Sequence, residues 1–148
     1  EEAIALAAAD IDVEVVPGVT SAFAAPAAAG VPVTHRGVSP GVTVVTGHRR
    51  AGEQPLDWRA LATIDTTLVI LMGVSQRATI AAELIAGGAA PDTPVAAVIA
   101  AATDRQRVER GRLDELDTLP VESPATIVIG AVAALDVVAH VATIPATV

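Results

Sequence analysis

Apolar and polar positions alternate in short blocks along the chain, and most blocks read as one secondary-structure element. "EEAIALAAA" has the spacing of the end of a helix and "DVEVV" that of a strand, while "SAFAAPAAAG" predicts a short helix capped by Thr20 or Ser21 and stopped at Gly30. "VTVVTG" predicts a strand, "LDWRALATI" a short helix with Asp57 near its start, and the unbroken apolar run of "TTLVILMG" a buried strand. "SQRATIAAELIAGG" has helical spacing, with Ser75 as the cap and Gly87-Gly88 as the stop. Two strands follow, "TPVAAVIAA" and the alternating, half-exposed "RQRVERGR". A short "LDELDTL" helix, a last buried strand "ATIVIGAV" and a closing helix "AALDVVAHVA" complete the chain. Strands alternating with helices predict an α/β fold, an αβα sandwich around a mixed, mainly parallel sheet, with an antiparallel strand near "RQRVERGR". No internal repeat and no linker interrupts residues 1–148, so one domain is expected.

Composition narrows what fills that fold. Hydrophobic residues make up 52% of the chain but aromatics only 1%, so Ala, Val, Ile and Leu must build the core. The uncharged run from Val15 to His35 has the length of a membrane span, but Pro17, Pro26, Pro32, Gly18 and Gly30 would break such a helix repeatedly. The absence of Cys excludes a disulfide scaffold and thiolate metal sites. Without a recognisable signal peptide, the expected location is the cytoplasm. A formal net charge of −8 disfavours nucleic acid as a partner.

Charge placement is uneven. No acidic residue lies between Glu14 and Glu53, yet that stretch holds His35, Arg36, His48, Arg49 and Arg50. Such a stretch is either a solvated face or a site for a multiply anionic ligand, whose oxygens match the planar fork of Arg. "GVSPG" fits the G-x-S-x-G pattern of a serine nucleophile, but a strand follows it, and Pro40 has no N–H to offer an oxyanion. His35, His48 and His140 lack metal-ligand spacing, so no metal is expected. No glycine-rich phosphate loop follows a strand.

Taken together, "VEVVPGVTSAFAAPAAAGVPVTHRG", "VTVVTGH", "LDWRALA", "TTLVILMGV" and "SPATIVIGAV" resemble the tetrapyrrole methylases over nearly the whole chain, and within them the members that methylate uroporphyrinogen III. The resemblance implies transfer of two methyl groups from S-adenosyl-L-methionine to carbons of uroporphyrinogen III, giving precorrin-2 for sirohaem and cobalamin synthesis, by a homodimer. A later precorrin methyltransferase, or a domain without catalysis, are the other classes. Family members begin with an N-terminal domain carrying "GAGPGDP"-like and "GGDP"-like loops, absent here, so this chain is expected to be the C-terminal half, inactive alone. The family's proton-transfer groups lie mostly in that other half, and no catalytic acid or base is nominated.

The resemblance also implies site residues. Thr20 and Ser21 match a pair that contacts the cofactor, although both serve equally as helix caps. Met72 matches a methionine that packs beside the cofactor, and Ala125 and Thr126 match the strand whose backbone recognises adenosine. Ala101 departs from the family, since Ala101-Ala102 stands where a "GT"-like turn is usual. Uroporphyrinogen III carries eight carboxylates, which gives His35, Arg36 and Arg49 a candidate ligand; Arg36 leads because it belongs to "THRG".

Overall fold

A computed structural model describes residues 1–48, 52 and 54–137. Helix α1 spans Glu2–Ala8 and α2 spans Ser21–Ala28. Strand β1 (Val42–Thr46), helix α3 (Trp58–Leu61), strand β2 (Thr67–Leu71) and helix α4 (Arg77–Ala86) follow. Strands β3 (Pro94–Ile99), β4 (Arg107–Arg112) and β5 (Ala125–Ile129) complete the regular elements, with 3₁₀ turns at Val74–Gln76, Leu113–Glu115 and Ala131–Ala134.

The sheet order is β1-β2-β5-β3-β4. It is mixed, as expected, but not mainly parallel: β1 and β2 pair in parallel, whereas β2–β5, β5–β3 and β3–β4 are antiparallel. Strands β1, β2 and β3 still share one direction. The reversal arises because β4 turns straight back along β3, and β5 then inserts between β2 and β3 without a crossover helix, which a parallel neighbour would require.

Period-two alternation sorts the strand side chains into two cores. Leu68, Ile70, Val95, Ala97, Ile99, Ile127 and Ile129 face α3, α4 and the Leu113–Glu115 turn, packing with Ile80, Leu84, Leu113 and Leu116. Val69, Ala96, Val98 and Val128 face the other way, against Ala22, Ala25 and Ala29 of α2 and its end, with Val132 and Ala133. The result is a three-layer αβα sandwich. One layer is built from large side chains and the other from small ones.

Local signals account for most element ends. The Thr20 hydroxyl accepts the Ala22 N–H at 3.3 Å and caps α2, while Gly30, at φ +68°, takes the left-handed conformation that stops it. The Asp57 carboxylate accepts the Ala60 N–H at 2.9 Å, capping α3. Three expectations fail. Residues 12–16 form no strand: the sheet's edges are β1 and β4, no strand pairs with this segment, and Val15 and Val16 are exposed. Ser75 caps nothing, because the 3₁₀ turn Val74–Gln76 leads into α4 and puts Gln76 at its start. "LDELDTL" winds only one 3₁₀ turn. The closing helix starts later than expected: Ala133 and Ala134 end a 3₁₀ turn, Leu135 is extended, Val137 is helical, and Val138–Ala142 lie outside the described residues.

Because α2 approaches the sheet over Ala22 and Ala25, the centre of that face has no room for a larger side chain. Ala96→Leu should destabilise the domain by about 1–3 kcal/mol through overpacking. Truncating the opposite face, Ile70→Ala, should cost about 2–5 kcal/mol through the cavity left. Urea denaturation midpoints of the two variants measure both effects.

Candidate ligand cleft at the strand ends

The carboxyl ends of β1, β2 and β3 and the amino end of β5 open on one side of the sheet, the position where α/β sheets receive ligands. There a cleft of about 740 Å³ is lined by Ser21 and Ala25 of α2, Leu71 at the end of β2 and Met72 after it, Val98 of β3 and Ala100–Ala101 after it, and Ala125–Thr126 of β5. His48, Ser75, Thr103, Arg105, Ser123 and others complete the lining. Its volume suits a small molecule. Aliphatic side chains and the hydroxyls of Ser21, Ser75, Thr103, Ser123 and Thr126 share its lining.

Backbone geometry shapes that lining. Met72, Ala100 and Ala102 all adopt positive φ, at +54°, +47° and +60°, which costs a non-glycine residue about 1–3 kcal/mol each. Two clamps hold the Ala100–Ala102 turn. The Thr103 hydroxyl donates to the Ala100 carbonyl at 2.7 Å, and the Gln106 side chain accepts the Ala102 N–H at 2.7 Å while donating to the Ala28 carbonyl at 3.0 Å. Gln106 thereby ties the cleft floor to α2. After the ends of β1 and β2, Gly47 and Gly73 touch; a Cβ on Gly47 would lie 2.5 Å from the Gly73 Cα.

Five of the six residues expected to meet a cofactor, Ser21, Met72, Ala101, Ala125 and Thr126, line this one cleft, and Thr20 adjoins it as the cap of α2. The basic stretch is divided. His48 lines the cleft, whereas His35 and Arg36 sit in a separate shallow pocket formed by Thr34–Pro40 with Asp65. Arg49, Arg50 and His140 lie outside the described residues. Ser39 is buried, its hydroxyl accepting the Thr67 N–H and O–H, each at 3.0 Å, and donating to the Gly41 carbonyl at 3.0 Å. It is a structural serine. Sequence reasoning missed Ala25, Ser75, Thr103 and Arg105 as lining residues, and no motif marks them; only the meeting of four loops does. Among the described residues, no group of three or more His, Asp or Glu side chains could hold a metal ion, and no helix is long and apolar enough to cross a membrane.

This sandwich, open at its strand ends, has the architecture of a known class of proteins. The sequence matches the family model of the Tetrapyrrole (Corrin/Porphyrin) Methylases over residues 1–117, and the chain belongs to that family. It is 47% identical over 136 residues to the uroporphyrinogen-III C-methyltransferase of Pseudomonas aeruginosa, covering 89% of this chain and 55% of that protein. A siroheme synthase of Edwardsiella ictaluri is 49% identical over 137 residues, covering 91% of this chain and 30% of that protein. Among solved structures, the uroporphyrin-III C-methyl transferase of Thermus thermophilus complexed with S-adenyl homocysteine superposes with a TM-score of 0.76 at 40% identity, over 88% of this chain and 58% of that one. The chain thus spans from less than a third to little more than half of the length of these relatives.

The left-handed residues explain how Ala101 is accommodated: the strain falls on its neighbours, and Ala101 itself is not at positive φ. Ala102→Gly should therefore be neutral or stabilising by up to about 1 kcal/mol, because relief of strain offsets the added chain entropy. Ala101→Gly has no strain to relieve and should destabilise by about 0.5–1 kcal/mol. Chemical denaturation of the two variants should separate them in that order.

Proposed function

We propose that this chain is one domain of an S-adenosylmethionine-dependent methyltransferase that C-methylates uroporphyrinogen III to precorrin-2, and that the cleft at the strand ends receives the methyl donor. The observation that carries the reading is the convergence of Ser21, Met72, Ala101, Ala125 and Thr126 on one cleft from four separate stretches of sequence. The chemistry of the lining fits the donor. Leu71, Val98 and Ala125 offer an apolar bed for an adenine ring, and the α2 amino end, with the Ser21 hydroxyl, offers donors to polar edges.

When bound, the cofactor supplies a methyl group carried on a sulfonium centre. The domain's own part is positional. Met72, held at a fixed backbone geometry after β2, and the clamped Ala100–Ala102 turn define where a ligand stops. The rigid floor between them limits its freedom, and near-attack positioning of this kind is a large source of rate. His35, Arg36 and Arg49 are proposed to receive substrate carboxylates. The homodimeric, cytoplasmic character of the enzyme belongs to the same reading. Its support is the apolar surface of α1 and the following segment, where Ile4, Val15, Val16 and Val19 are exposed and available to another polypeptide surface.

Three experiments test the reading. In the whole enzyme, Ser21→Ala should weaken S-adenosylhomocysteine binding several-fold by calorimetry, the loss of roughly one hydrogen bond; wild-type affinity would remove the Ser21 hydroxyl from the site. Arg36→Ala should raise the KM for uroporphyrinogen III about tenfold and leave S-adenosylhomocysteine affinity unchanged. The 148-residue chain alone should form no precorrin-2, and product detected by absorbance from that chain would contradict a site shared with another part of the enzyme.

A further inference from the structure

The charge of the cleft is opposite to that of the protein around it. Of 26 formally charged Asp, Glu and Arg residues in the chain, 17 are acidic, yet among the described residues no carboxylate lines the cleft, and the ionisable lining residues are His48 and Arg105. Arg105 differs from most arginines of the described residues. Arg59 pairs with Glu83 at 3.0 Å, Arg107 with Glu122 at 2.9 Å and Arg112 with Asp114 at 2.6 Å. Arg110 is held by Asp136 and the carbonyls of Ala133 and Leu135, and Arg77 by the carbonyls of Val74 and Asp117. The Arg105 guanidinium, by contrast, makes no hydrogen bond or ion pair to any described residue.

Its backbone, however, is fixed. The Arg105 N–H donates to the Thr103 hydroxyl at 3.2 Å, that hydroxyl donates to Ala100, and the neighbouring Gln106 is bonded to Ala102 and Ala28. A cation without a partner among the described residues, on a clamped loop at the rim of this cleft, is placed to receive an anion. A guanidinium offers two parallel N–H donors, which match the two oxygens of a carboxylate. We propose that Arg105 binds an organic carboxylate at the mouth of this cleft. The proposal rests on the function proposed above, and that reading offers two sources of the group: the amino-acid end of the methyl donor, or a side chain of the polycarboxylate substrate.

The test uses the whole enzyme with Arg105→Gln and Arg105→Lys, both at an exposed position where folding is unaffected, and Arg107→Gln as a control whose partner Glu122 lies outside the cleft. Calorimetry with S-adenosylhomocysteine and with 5′-methylthioadenosine, which lacks the carboxylate, is combined with the KM for uroporphyrinogen III. A loss of about tenfold in S-adenosylhomocysteine affinity with unchanged 5′-methylthioadenosine affinity assigns Arg105 to the donor's carboxylate. A rise of about tenfold in KM at unchanged S-adenosylhomocysteine affinity and kcat assigns it to the substrate. In either case Arg105→Lys should retain part of the effect and Arg107→Gln should match wild type. Wild-type values for Arg105→Gln in every assay overturn the proposal and leave the proposed function standing. A wild-type enzyme that neither binds S-adenosylhomocysteine nor methylates uroporphyrinogen III overturns both.

Discussion

The close approach of α2 to the sheet governs the rest of the molecule. Ala22, Ala25 and Ala29 on the helix meet Val69, Ala96, Val98 and Val128 on the sheet, and small side chains on both surfaces let backbone lie near backbone. That contact is weak per residue, since little apolar area is available from alanine. It is supplemented at the carboxyl end of α2 by polar ties: Gln106 to the Ala28 carbonyl and Arg110 to the Ala29 carbonyl. The opposite layer carries the large residues, with Ile70, Ile80, Leu84, Leu113, Leu116 and Ile127 fully buried. The division has a functional consequence. The heavy core secures the fold, leaving the light one free to bring the amino end of α2 to the strand ends.

Strain is concentrated where the cleft lies. Among the described residues, four non-glycine positions have positive φ; Met72 and Ala100 follow directly on β2 and β3, and Ala102 lies two residues further along the same turn. A chain of this size has a stability of only about 5–15 kcal/mol, so about 1–3 kcal/mol at each of these positions is a substantial charge against it. The hydrogen bonds of Thr103 and Gln106 hold the turn in place. A ligand meeting this surface finds a pre-organised floor and an electrostatic environment unlike that of the acidic exterior.

Much of this was legible in the residues themselves. The unbroken apolar runs of "TTLVILMG" and "ATIVIGAV", the capping side chains of Thr20 and Asp57 and the stop at Gly30 all act over a few residues, and each element they mark is present. Local chemistry also disposed of Ser39 as a nucleophile, and its buried hydroxyl is engaged on every side. The resemblance of five motifs to one family picked out positions that converge in space, because a family's motifs are kept together by a common ligand site rather than by chain proximity.

What the sequence by itself determined, then, is the set of elements and their buried faces, since propensity, capping and hydrophobic period are properties of neighbouring residues. Tertiary structure alone decided the strand order. Nothing local to "ATIVIGAV" says that it inserts antiparallel between β2 and β3, because a strand buried on both faces looks alike whichever way its neighbours run. The same holds for residues 12–16, whose strand-like pattern pairs with neither edge strand, β1 or β4. It holds for Arg105 too, since its charge gains meaning only once the β3–β4 turn meets α2 and the start of β5 around one cleft. A side chain's partners are set by distance in space, and spacing along the chain does not encode them.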